Sequence, residues 1–333
     1  MRREGTRTVA ADSERSAMRD LIRPAARTFF NAPTCDDLDA LDANVAFLGV
    51  PWDQGVIIPM IRSGASAGPR LVRDTRTRLK ETLPDGGSAG WFDIETEQHH
   101  LRGVRLADCG DVLLGAGDTI LSHDRITEAS RRIAEKGALV AAVGGDHSVS
   151  FPVGRGVAEV YGTVDVVHID AHSDFADTIY GSKLSHGSQL RRLYELPTTD
   201  QLVALGLRSV DRDQYDDMKR LGVGFASTKA LLDEGPAAVV ERLVRPGRDL
   251  YVSIDIDVLD GGIVPGTTLP EPGGIAFRQL RDLLVAIAGR GRVVGFDIVE
   301  TSAAQADVNT AMTTAWLMVH FLSAIFPANT TTP

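Results

Sequence analysis

Cysteine is scarce in this chain: Cys35 and Cys109 are the only two among 333 residues. They lie far apart in sequence and lack ligand-like spacing. A disulfide framework and a thiolate metal site are therefore excluded, and two structural thiols of a cytoplasmic protein are expected. Long apolar runs are also missing, since no stretch reaches the roughly 18 residues of a membrane-spanning helix. The opening segment, Met1 to Arg19, is polar with charges of both signs and lacks the apolar core of a secretory signal. Basic charge is in deficit: 35 Lys and Arg against 45 Asp and Glu leave a net charge of −10. That argues against nucleic acid or an anionic membrane as partner and leaves room for a cationic small molecule. Linkers rich in Pro, Gly or Ser and internal repeats are absent too. The expected organisation is a partly disordered N-terminal arm over residues 1–30 and one domain over residues 31–328.

What the chain does have is a series of short apolar runs with little alternation, the mark of buried parallel strands. They fall at residues 44–50, 138–143, 164–170, 201–206, 250–255 and 293–298. Helical spacing appears between and after them, over residues 118–136, 212–221, 236–244, 277–289 and 307–326, with Asp118 as an N-cap. Alternation of this kind predicts an α/β fold: three layers, α/β/α, around a mostly parallel sheet. Ligands of such sheets sit beyond the carboxyl ends of the strands. Four predicted strands end there at chemically loaded residues: His147, the Asp170 run, Asp255 with Asp257, and Glu300.

Three runs carry the chemistry. Gly144-Gly145-Asp146-His147-Ser148 offers an imidazole, with Asp146 flanking. Asp170-Ala171-His172-Ser173-Asp174 offers three donors spaced two apart, which share a side if the stretch stays extended. Ser253-Ile254-Asp255-Ile256-Asp257 repeats that spacing. Imidazole and carboxylate donors suit divalent ions such as Mn²⁺, Ni²⁺, Co²⁺ or Zn²⁺. Four clustered aspartates repel one another unless cations separate them, so the charge balance favours two ions over one. Read alone, Gly-Gly-Asp-His is a turn with a capping aspartate, and Asp-Ile-Asp is the start of a loop. The three in this order, each at a strand end, point to one site.

At these residues the chain resembles the ureohydrolase family of arginase, agmatinase and their relatives. The hallmarks Gly-Gly-Asp-His-Ser, Asp-Ala-His-x-Asp and Ser-x-Asp-x-Asp-x-x-Asp all occur in order, and the similarity runs from about Phe47 to Phe326. Gly49-Val50-Pro51-Trp52-Asp53-Gln54-Gly55, Ser185-His186-Gly187-Ser188 and Pro270-Glu271-Pro272-Gly273-Gly274 resemble the agmatinase branch. The resemblance implies an arginase-like fold, two divalent ions (Mn²⁺ or Ni²⁺), and assembly as a homo-oligomer, trimer or hexamer, with a hetero-oligomer as an alternative. It also implies roles. His147 and Asp174 bind one ion, His172 and Asp257 the other, and Asp170 and Asp255 bridge them. His186 is a proton shuttle, and Glu300 grips a guanidinium group. The implied reaction is hydrolysis of a guanidine compound to urea, or a urea derivative, plus an amine.

Two departures bear on the substrate. After the Asp-Gln-Gly turn the chain runs into the apolar stretch Val56–Ile61, and Ser66 stands where the family carries arginine. Asp260 is followed by Gly261 where the family has proline. Agmatine is the conventional substrate. The apolar stretch also suits 4-guanidinobutyrate, free guanidine, or an N-alkylated guanidine or biguanide such as metformin; alternatively it packs against a neighbouring subunit. Two rival readings are a single-zinc, deacetylase-like amide hydrolase, whose site lacks the second ligand set, and a non-catalytic partner subunit of a hetero-oligomer.

Overall fold

A computed structural model describes residues 21–328 apart from Met60, Arg62, 76–78, 80–81, 84–85 and 304–307. Most of the arm expected over residues 1–30 therefore lies outside the described residues, but its end is built into the sheet. The elements in chain order are β1 (Ile22–Arg23), β2 (Val45–Gly49), α1 (Gly68–Arg73), β3 (Trp91–Asp93), β4 (Gln98–His100), β5 (Leu106–Val112), α2 (Thr119–Glu135), β6 (Leu139–Val143), α3 (Ser150–Tyr161) and β7 (Val164–Ile169). They continue with α4 (Gln189–Tyr194), β8 (Thr199–Leu207), α5 (Arg212–Arg220), β9 (Gly224–Ser227), α6 (Thr228–Glu234), α7 (Pro236–Leu243), β10 (Asp249–Asp255), α8 (Phe277–Ala288), β11 (Arg292–Val299) and α9 (Val308–Ile325). Nine strands form one sheet in the order β1-β5-β2-β6-β11-β10-β7-β8-β9, and β3 with β4 makes a separate hairpin. Every neighbour in the large sheet is parallel except β1 against β5.

The central strands feed two cores, one on each face of the sheet. Val45 and Phe47 join one, with Leu280, Leu284 and Leu317. Ala46 and Leu48 join the other, with Ile126, Val153 and Leu190. The apolar runs thus lack alternation because both faces are covered: by α1, α6, α7, α8 and α9 on one side and α2, α3, α4 and α5 on the other. Full burial of each Val, Leu or Ile contributes about 1.5–3 kcal/mol. At the start of α2 the Asp118 carboxylate accepts the Leu121 N–H at 2.9 Å, as the N-cap expectation requires.

Three features differ from expectation. Strand β5 is interrupted in sequence by Asp108, Gly110 and Asp111, which hide it. Its charge is met by buried Arg73, which donates to both Asp108 oxygens at 2.9 and 3.0 Å and to Asp111 at 2.5 Å. Helix α3 carries Pro152, Gly154 and Gly156, a poor helical composition. A Cβ at Gly154 would stand 2.7 Å from the Tyr251 ring, so tight packing of helix on sheet sets that residue. Helix α9 has 18 residues with no Asp, Glu, Lys or Arg, so a stretch of membrane-spanning length does exist. Over half of it is buried inside the protein, with Ala315, Leu317, Met318 and Phe321 in the core.

Candidate active site

Strands β6, β11, β10 and β7 are consecutive neighbours in the middle of the sheet, and their carboxyl ends carry the candidate residues. Beyond β6 the chain turns at Gly144-Gly145, where a Cβ on Gly145 would stand 1.6 Å from the Trp52 carbonyl oxygen. Only glycine permits that approach, and it lets His147 begin a short 3-10 turn.

The donors do not converge by extended alternation, as the i, i+2 spacing suggested. Three Asx turns bring them in. Asp146 Oδ1 accepts from Ser148 N at 3.0 Å, Asp170 Oδ1 from His172 N at 2.6 Å, and Asp255 Oδ1 from Asp257 N at 2.9 Å. In Asp170 and Asp255 one oxygen holds the backbone and the other is left for the site. Asp174 reaches inward from a left-handed backbone, φ 45°, and Glu300 from φ 63°. Such conformations are costly for non-glycine residues and mark functional constraint.

The second oxygens meet at His147. Its Nδ1 stands 3.0 Å from Asp170, 3.2 Å from Asp174 and 3.1 Å from Asp255, each at Oδ2. Beside it, His172 Nδ1 lies 3.0 Å from Asp257 Oδ2 and 3.4 Å from Asp170 Oδ1. Behind His147, Nε2 meets Ser253 Oγ at 2.9 Å, and that hydroxyl donates to Asp297, which also accepts from Ser150 and Tyr251. This fixes the ring and leaves Nδ1 facing the carboxylates.

The electrostatics call for cations. Burial, with repulsion from Asp257 and Asp170, holds the Asp255 carboxyl well above its ordinary range. Burial and Asp170 push Asp257 up to about 6. Burial opposes protonation of His147, yet the three carboxylates lift its pKa well above normal. A ring nitrogen holds one proton and can satisfy at most one of three oxygens. Among the described residues, neither His147 Nδ1 nor Asp170 Oδ2 completes a well-aligned hydrogen bond. A buried set of imidazole and carboxylate donors converging in this way fits divalent metal ions.

A cleft of about 280 Å³ opens over these residues, lined also by His186 and Glu300. Glu300 Oε1 accepts the His147 N–H at 2.8 Å, while Oε2 has no hydrogen-bond partner among the described residues. Burial and Asp146 push this carboxyl up to about 8. His186 is held to Gly55 O through its backbone N–H, at 3.1 Å, and through Nδ1, at 2.9 Å. With Nδ1 donating there, Nε2 is the nitrogen left for the cleft.

All eight residues singled out from sequence are thus in one place. Asp146, flanking in sequence, turns away from the cluster: its Oδ2 accepts Gly55 N at 2.7 Å and Val56 N at 3.2 Å. His168 was missed. It lies in β7 two residues before Asp170, its Nε2 is 3.2 Å from Asp170 Oδ2, and its ring stacks on His147 at 5.0 Å. Of the two departures, Ser66 donates to Asp53 at 2.6 Å, and Asp260 caps the 261–274 loop by accepting from Gly262, Gly273 and Gly274.

Imidazoles and carboxylates converging at the carboxyl edge of an α/β/α sheet, with a lone glutamate beside them, are the donor set of a metallohydrolase. The profile described as Arginase family matches residues 43–324. The agmatinase of Bacillus anthracis is 32% identical over 262 residues, covering 78% of this chain and 84% of that protein. The guanidinobutyrase of Pseudomonas aeruginosa is 32% identical over 274 residues, covering 80% of each. Among solved structures, the proclavaminate amidino hydrolase of Streptomyces clavuligerus is 27% identical with a TM-score of 0.74, covering 92% of this chain and 98% of that one. The chain belongs to the arginase family. Within it the chain is an agmatinase-like ureohydrolase, a hydrolase of amidine C–N bonds.

Proposed function

We propose that the protein uses two divalent ions, Mn²⁺ or Ni²⁺, to hydrolyse a guanidine compound whose far end is uncharged or cationic, releasing urea or a urea derivative and an amine. The observation that carries this reading is the convergence of His147, His172 and four aspartates on the cleft that Glu300 also lines. His147 and Asp174 would hold one ion and His172 and Asp257 the other, with Asp170 and Asp255 shared. When bound, such ions supply Lewis-acid polarisation and acidify water.

The remaining work falls to side chains. Glu300 Oε2 accepts from the planar cation and sets its orientation while Oε1 stays on the His147 N–H. Asp174 accepts from the attacking water and aims it at the guanidinium carbon. His186, its ring held by Gly55, takes up at Nε2 the proton that the attacking water releases and passes it to the leaving amine. The low exposure of all these groups excludes bulk water and strengthens each contact.

The cleft walls support the assignment of the far end. Ile58, Ile179, Val210 and Leu269 line it, and Asp211 is the added charge. No Lys or Arg is among the described lining residues. Nearby Arg208 is occupied by the backbone carbonyls of Asp257, Val258, Leu259, Glu271 and Pro272. A carboxylate tail would find no counter-charge there, whereas an alkyl tail would meet apolar wall and an ammonium tail would face Asp211.

Replacing Asp170 or Asp255 with Asn, then measuring bound metal and urea release, tests the centre; unimpaired turnover in both variants sinks it. Turnover across agmatine, alkylguanidines and 4-guanidinobutyrate tests the tail, and a preference for guanidinobutyrate overturns that part. Assembly as a homo-oligomer belongs to the same proposal, with light scattering as its measurement.

A further inference from the structure

His168 has no place in the mechanism above, yet it is fully buried against it. Its Nε2 faces two acceptors, the His172 carbonyl oxygen at 3.4 Å and Asp170 Oδ2 at 3.2 Å. A backbone carbonyl can only accept, so the bond to His172 O makes Nε2 the donor, and a nitrogen that donates is no metal ligand. The other ring nitrogen, Nδ1, lies 3.4 Å from the side-chain nitrogen of Gln189. An amide N–H donating to Nδ1 holds the neutral tautomer with its proton on Nε2. The ring also stacks on His147, with centroids 5.0 Å apart and planes at 28°. His168 is absent from the described cleft lining, where His147 and His172 both appear.

From these contacts we infer that His168 is a positioning residue for the metal ligands. Its Nε2–H spans the Asp170–His172 turn from beneath. It ties the carbonyl of one ligand residue and stands against the carboxylate oxygen of the other, so both donors keep their direction. Gln189 acts one step further back by keeping the proton on Nε2. Hydrogen-bond partners behind metal ligands typically affect metal affinity by about 10–100-fold. The inference rests on the two-ion reading, because it is metal affinity that His168 would tune.

The test is Mn²⁺ titration of the metal-stripped protein by calorimetry, with circular dichroism as the check on folding. His168→Phe keeps a flat ring beside His147 and removes the donor. His168→Gln places a side-chain N–H near the former Nε2 position. Expected results are two Mn²⁺ per wild-type chain, affinity about 10–100-fold weaker in His168→Phe, and recovery to within a few-fold in His168→Gln. Wild-type affinity in His168→Phe, or an equal loss in both variants, overturns the inference while leaving the two-ion reading intact. A wild-type chain that binds fewer than two ions removes the two-ion reading and this inference with it. Should His168→Phe not fold, Gln189→Leu is titrated in its place: weakened Mn²⁺ binding supports the inference and unchanged binding overturns it.

Discussion

Asp146 is the residue of the Gly-Gly-Asp-His run for which the structure makes the sharpest prediction. Its carboxylate accepts four hydrogen bonds, from Ser148 N at 3.0 Å and Ser148 Oγ at 2.5 Å on one oxygen, and from Gly55 N at 2.7 Å and Val56 N at 3.2 Å on the other. Two oxygens offer about four acceptor positions, so none is left for a metal. What Asp146 holds is the Gly55 turn, and Gly55 O in turn holds His186. In Asp146→Asn an amide must face either Gly55 and Val56 or Ser148, and one or two backbone bonds to a buried acceptor are lost. At about 1.5–3 kcal/mol for each hydrogen bond to a charged group, less the relief of burying a neutral side chain, the expected destabilisation is about 2–4 kcal/mol. For a chain of this size that corresponds to a melting point lower by about 3–6 °C, read by scanning calorimetry. Freed from its anchor, His186 loses alignment, and kcat for urea release is expected to fall about 10- to 100-fold. Metal per chain, measured by plasma mass spectrometry, should stay at the wild-type value, unlike in Asp170→Asn. Loss of metal in proportion to activity would refute the reasoning, because Asp146 would then belong to the ligand set.

Three other perturbations have definite outcomes. Arg73→Met leaves Asp108 buried and uncompensated beneath the Phe29 N–H and is expected to cost about 3–5 kcal/mol in thermal unfolding, with metal content unchanged. His123 sits against Trp52 and Phe151, and burial, aided by Arg155, lowers its pKa to about 4 from an unfolded value of 6.5. Between those values the unfolded chain binds the extra proton, so the contribution is fully present above about pH 6.5 and is lost as pH falls through 4. It amounts to about 3 kcal/mol, and His123→Leu should show a correspondingly shallower loss of stability over that window in pH-dependent unfolding. Ile58→Arg places a cation in the cleft wall and should raise the kcat/KM ratio of 4-guanidinobutyrate to agmatine about fivefold, the equivalent of about 1 kcal/mol for a partly exposed ion pair; an unchanged ratio would argue that the tail does not pass Ile58.

The candidate site residues were legible in the sequence because each lies at, or within a few residues of, the end of a buried strand, and uninterrupted apolar runs such as Leu139–Val143 and Val164–Ile169 announce strand ends directly. The manner of convergence was less so. Asp255 and Asp257 share the spacing of an extended pair, yet a 3-10 turn capped by Asp255 separates them. A two-residue spacing after a strand is equally compatible with a continued strand and with an Asx turn, and only the surrounding backbone decides. His168 was hidden because a lone histidine inside an apolar run reads as core; its place two residues before Asp170, on the same strand face, was the signal available. Strand β5 was obscured by charges whose partner, Arg73, is 35 residues away. The apolar cleft wall was the least legible part, since Ile58, Ile179, Val210 and Leu269 come from four separate segments. Their relative placement depends on long-range bonds such as Gly55 N to Asp146 and Arg208 to the 257–259 carbonyls. The donor cluster is therefore placed by strand ends that local periodicity locates. The apolar wall is placed by loops that only the folded sheet brings together, so chains with the same strand-end residues can differ at the cleft wall through residues such as Ile58.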